Sequence, residues 1–211
     1  MTVVETSETL NCYVEIEGDR HPEFFRGTAC GTFLVYHGTV YGPSEIPAGL
    51  ILNQMAFTPI QCWGAEPSAP EGKSYNRRCV MAGTSGILLE QVDVWTPGGT
   101  SIDTSINLTR TASGLPPVGP IIVYRAGDCY VADNDYGTGS VNLTNRTASR
   151  ISEQTGRVRQ WQDTTASPRA TMAEMYYLSL WWQIRLGVPF ASQFTTDRHD
   201  NAAGLSWEVD S

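Results

Sequence analysis

Apolar and polar residues alternate with a period of two in several separate stretches of this 211-residue chain, the pattern of strands with one buried and one wet face. Near the start, Cys12, Val14 and Ile16 alternate with Tyr13, Glu15 and Glu17. Residues 28–41 are rich in β-branched and aromatic types around Gly38, which predicts a strand interrupted by a bend. An apolar run at 46–60 is held between breakers, Pro47 with Gly49 at one end and Pro59 at the other, and is too short for a helix. Gly64, Pro67, Pro70 and Gly72 then mark 61–79 as a loop. From 87 to 95, Leu88, Val92 and Val94 share one side with Glu90, opposite Gln91 and Asp93, and a further apolar strand is expected at 121–124.

The longest alternation lies at 176–190. Leu178, Leu180, Trp182, Ile184 and Leu186 alternate there with Ser179, Trp181, Gln183, Arg185 and Gly187, predicting a half-buried strand. In that strand Trp181 and Arg185 fall on the outward face, where a neighbouring subunit would meet them. Just before it, Ser167 and Pro168 supply the cap and first turn of one short helix reaching Glu174.

Composition narrows the class without changing it. With 41% hydrophobic residues the chain can bury a single sizeable core, and 20 glycines and 12 prolines against 17% charged residues suit many strands joined by tight turns. The fold class expected is all-β. The formal charge of −8, with Lys73 the only lysine, disfavours nonspecific binding of polyanions. Neither a secretory signal nor a membrane span is visible, so a soluble, unsecreted product and no membrane partner are expected. Cys12, Cys30, Cys62, Cys79 and Cys129 are odd in number and widely spaced, which signals neither a zinc site nor a disulfide framework and leaves buried free thiols as the expectation.

Candidate chemistry is sparse. Only His21, His37 and His199 could serve a nucleophilic triad, and none stands in a familiar signature. No phosphate-cradling loop is present, and no enzyme is expected, although a hydrolase needing only two facing carboxylates stays open. Asp128, Asp133 and Asp135 bunch where a strand runs into a loop; such hard oxygen donors suit calcium, including calcium shared with an adjacent subunit, while ordinary turn capping is the alternative. Asp197, Asp200 and Asn201 would add oxygens if the final segment docks nearby. Arg146, Arg150, Arg157 and Arg159, with Arg169 and Trp161 among them, form a locally basic stretch suited to nucleic-acid phosphates and base stacking, or equally to a solvated face or a set of interface ion pairs.

The order of these features resembles the single jelly-roll coat proteins of small icosahedral positive-strand RNA viruses, the tombusvirus, sobemovirus and tymovirus-like group. Residues 46–59 are similar to the family's early strand, and Arg77 and Arg78 through Trp95 to the next element. Residues 120–135 look like the following strand with its acidic turn, and Ser167-Pro168-Arg169 leading into 177–189 resembles the last strand. The resemblance implies one eight-stranded jelly-roll β-sandwich with at most one or two short helices, divided as an acidic N-terminal segment (1–27), a core (28–190) and a C-terminal tail (191–211). It implies self-assembly into an icosahedral shell in the virion, with copies of the chain, other capsid proteins, packaged RNA and a host receptor as partners. It also implies calcium between subunits at Asp133 and Asp135, with Asp128. Residues 1–25 depart from the pattern, because they are acidic where many such proteins carry a basic RNA-neutralising arm. The alternative is a carbohydrate- or receptor-binding β-sandwich, such as a viral spike, phage decoration or lectin-like module, with tryptophans as stacking platforms.

Overall fold

Residues 2–47, 54–64, 68–111 and 120–209 are described by the computed structural model, so the expected strand at 46–60 lies partly outside the described residues. In chain order the strands are β1 (Thr2–Thr6), β2 (Cys12–Ile16), β3 (Cys30–Tyr36), β4 (Thr39–Gly42), β5 (Met55–Ala56), β6 (Thr58–Ile60), β7 (Ser74–Met81) and β8 (Ile87–Trp95). Next come β9 (Ile102–Arg110), β10 (Ile121–Asp128), β11 (Tyr136–Asn142), β12 (Thr147–Ile151), β13 (Val158–Gln162) and β14 (Thr171–Tyr176), then helix α1 (Tyr177–Leu186) and β15 (His199–Val209). The fold is all-β and sandwich-like. Among the described residues no helix is long and apolar enough to cross a membrane.

A nine-stranded sheet runs β13-β12-β11-β15-β10-β3-β4-β5, with β14 also paired to β15. A smaller sheet, β6-β7-β8-β9, covers one of its faces, and β1 and β2 form a separate hairpin. The smaller sheet follows chain order as a meander, whereas a jelly roll is built from Greek keys. The all-β sandwich class is the one expected, and the strands number more than the eight of a single jelly roll.

Strands β3 and β10 explain the continuous apolar runs read in the sequence, because both of their faces are covered. Phe33, Val35, Ile122 and Tyr124 pack with Leu180, Trp181, Ile184 and Phe190 on the helix side. Leu34, Tyr36, Ile121 and Val123 pack with Val80, Ile87 and Leu89 on the smaller sheet.

Three expected elements differ. Residues 177–186 form a helix, not a strand. Tyr177, Leu180, Trp181 and Ile184 recur at i, i+3, i+4 and i+7, and that helical stripe faces the sheet. Gly187, in the left-handed region at φ 67°, ends it, and Pro189 follows. Ser167 and Pro168 start no helix; the chain enters β14, whose central residues Met172 to Met175 are all buried beside β15. In β8 the buried side carries Gln91 and Asp93 beside Ile87 and Leu89: the two polar residues face inward because they have partners there. Thr32 Oγ1 donates to Gln91 (2.6 Å), while Thr6 and Thr104 hydroxyls donate to Asp93 at 2.6 Å each. Satisfied buried polar groups of this kind override the parity that apolar counting predicts.

The first and last strands are tied into the fold. β15, expected as part of a tail, lies inside the large sheet, and the β1–β2 hairpin is tied to β3 by a Cys12–Cys30 disulfide with Cα atoms 5.2 Å apart. A second disulfide, Cys62–Cys79, pins the loop before β7 to that strand, also at 5.2 Å, and β7 itself occupies the end of the stretch expected to be loop. Four of the five cysteines are therefore paired, against expectation; the wide spacing hid pairs that strand register brings together. Cys129 is free and buried, as expected, and burial pushes its thiol pKa up.

Candidate functional site

Asp128 ends β10, Asp135 directly precedes β11, and Asp200 is the second residue of β15. Because β15 pairs with β10 on one side (Asp128 opposite Ala202) and with β11 at its start (Tyr136 opposite Asp200), the 129–135 loop must cross the end of β15. That crossing brings the three aspartates together, with one carboxylate oxygen from each lying within 4.8 Å of the others. Asp128 is only 2% exposed, and the Oδ1 atoms of all three are buried without a hydrogen-bond partner among the described residues. Burial, reinforced by the charges of Asp200 and Asp135, raises the Asp128 pKa well above the usual range. Burial also raises Asp135, and burial followed by the charge of Asp135 pushes Asp200 up to about 7.

Asp133, expected in this group, is elsewhere. Its backbone takes the left-handed region (φ 59°), and its Oδ1 accepts from the amides of Arg20 and His21 at 2.9 Å each, so it anchors the N-terminal loop by turn-type capping. Asp200 takes its place. Asn201 points its amide at Glu174 instead, and Asp197 is exposed.

The four arginines expected to read phosphates are committed within the chain. Arg150 is 0% exposed, and donates from Nη1 to Val131 O (3.1 Å) and from Nη2 to Asn134 O (2.6 Å), bracing the loop that carries Asp135. Arg157 forks onto Asp19, Arg159 donates to the buried Glu23 (2.8 Å), and Arg146 pairs with Asp163 (3.1 Å). The partners of Arg157 and Arg159 lie 138 and 136 positions away, which is why the stretch reads as basic along the chain yet is neutralised in the fold.

Helix α1 places the interface candidates differently from a strand. Trp181 is 0% exposed and packs edge-on to Phe33, so it is a core residue and leaves the expected interface. Arg185 stays on the outer side, its guanidinium 5.1 Å from the ring centre of Trp182. Trp182 is 47% and Leu186 57% exposed, and with half-buried Leu178 they form an outward apolar stripe at i, i+4 and i+8. Separately, a cleft of about 850 Å³ opens between the edge strands β9 and β13, lined by Trp161, Trp207, Arg125, Asp103 and Asn107.

Fold and site together define a sandwich-like β protein with a buried three-aspartate cluster and one outward apolar helix face. No family model matches the chain, and no curated protein matches it.

Proposed function

We propose that this chain is a structural protein that assembles with copies of itself, forming part of a virion shell as the resemblance implies. The observation that carries the reading is the outer face of α1. A helix apolar on both sides belongs in an interior, yet Leu178, Trp182 and Leu186 face outward in a single chain, and Val188 beyond the helix is 42% exposed. A second copy seated there would bury the stripe, with Arg185 at its rim, and the edges of β9 and β13, unpaired among the described residues, offer further contact area. The two disulfides fit such a role, since virion surfaces are among the oxidising places where such bonds persist.

Light scattering after size exclusion, followed by electron microscopy, tests the reading. The native chain is expected to form oligomers or closed particles, and a Trp182→Glu, Leu186→Glu variant to stay folded by circular dichroism yet monomeric. A native chain that remains monomeric at every salt, pH and calcium concentration overturns it. One observation favours a second reading, binding of carbohydrate: the cleft between β9 and β13 combines Trp161 and Trp207 with polar side chains. A glycan that quenches indole fluorescence in the native chain, but not after Trp161→Ala, would support that reading over assembly.

A further inference from the structure

We propose that Asp128, Asp135 and Asp200 form a divalent-cation site of the calcium type within a single chain. The site is a property of one subunit, so it stands or falls apart from the assembly reading.

Two independent observations meet here. The first is convergence: oxygens from three carboxylates, supplied by the end of β10, the 129–135 loop and the start of β15, lie within 4.8 Å of one another. For three oxygens so spaced there is a point within about 2.8 Å of all of them, a few tenths of an ångström beyond calcium–oxygen bonding distance. The second is that the cluster has no internal closure. Asp128 is 2% exposed, directs a carboxylate oxygen toward the other two, and leaves its Oδ1 without a partner; the Oδ1 atoms of Asp135 and Asp200 are buried and unpartnered as well. Buried carboxylate oxygens are ordinarily hydrogen-bonded, and three neighbouring carboxylates that each keep an unpartnered buried oxygen suit a cation as the missing partner.

Charge and donor type identify the ligand class. Once ionised, the three carboxylates outnumber the neighbouring guanidinium of Arg150, and the excess negative charge suits a divalent cation. The three grouped donors are all carboxylate oxygens, a hard set that suits calcium better than zinc, for which nitrogen and sulfur are the usual ligands. Arg150 donates from its two terminal nitrogens to the Val131 and Asn134 carbonyls and so shapes the loop that presents Asp135. An ion held here would join three separate chain segments at one point and stabilise the folded state by mass action.

Calorimetry of calcium chloride into the full chain stripped with EGTA, together with thermal unfolding, tests the proposal. One ion per chain is expected, with a midpoint that rises with calcium and falls back when chelator is added. Terbium luminescence excited through the adjacent Tyr136 should appear and be displaced by calcium. Asp200→Asn and Asp135→Asn should each weaken binding by about tenfold or more, while Asp133→Asn, outside the cluster, leaves it unchanged. Asp200 and Asp135 are partly accessible, so these variants report even where Asp128→Asn fails to fold. No heat and no thermal shift at millimolar calcium overturns the proposal. So does binding that survives both Asp135→Asn and Asp200→Asn unchanged.

Discussion

Replacing Trp181 and, separately, its neighbour Trp182 by alanine should give opposite phenotypes. Trp181 is fully buried between Phe33, the sheet and the rest of α1, so its removal opens a cavity where the indole stood. An indole buries roughly 150–250 Å², worth about 4–6 kcal/mol at 25 cal/mol per Å². Its Nε1 has no hydrogen-bond partner among the described residues, so losing that buried donor offsets about 1–3 kcal/mol. The net expectation is about 3 kcal/mol, near the lower end of what large-to-small core replacements cost. For a chain of this size that lowers the thermal midpoint by about 6–12 °C. Trp182, 47% exposed, should change monomer stability by no more than about 0.5 kcal/mol when truncated. Urea unfolding followed by far-ultraviolet circular dichroism, at a concentration where the chain is monomeric, reads both. A Trp181→Ala loss below about 1 kcal/mol, or a larger loss for Trp182→Ala, would refute the assignment of inner and outer faces.

Three further outcomes are expected. In EGTA, stability should fall as pH rises from about 4 to about 7: folded Asp200 keeps its proton up to about 7 while the unfolded chain releases it near 3.8, so the folded state binds more protons across that window, and its advantage is gone above it. Urea midpoints at pH 5 and pH 8 check this, and Asp200→Asn should narrow the difference. Alkylation in denaturant should modify one cysteine before reduction and five after it, and Cys12→Ala with Cys30→Ala should cost about 3 kcal/mol because a loop is released; a full complement of labelled thiols without reductant would contradict the pairing. Gly139→Ala should destabilise by about 2 kcal/mol or more in a thermal melt, since a Cβ there would fall inside the side chain of Glu174, which is 0% exposed and has no room to move.

Strand existence was legible wherever one kind of face dominated. The alternation at 12–16 and the runs at 30–36, 87–95 and 121–124 all fall on strands, because local side-chain order alone decides which residues can meet a sheet. Helix α1 was not legible as a helix, because a segment apolar on every side satisfies periods of 2 and 3.6 together: Leu180 and Ile184 belong to both stripes, Tyr177 and Trp181 to the helical one alone, and Leu178, Trp182 and Leu186 to the alternating one alone. Two of the three clustered aspartates could be picked from their place at a strand end. Asp200 entered only if the last segment docked beside them, and docking is a matter of long-range pairing. The disulfides and the partners of Arg157 and Arg159 failed for the same reason, since each joins residues whose proximity is set by register between distant strands.

The position of β15 between β11 and β10 has a consequence for synthesis. In the large sheet β3, β4, β5 and β10 lie on one side of it and β11, β12 and β13 on the other, and every one of them leaves the ribosome earlier. Until residues through Val209 emerge, the two half-sheets have no common member to hydrogen-bond, so the sheet can close only after translation has passed that point. A nascent chain waiting in that state displays raw edges, and its yield will depend on how quickly the late strand arrives or on chaperones that shield the gap.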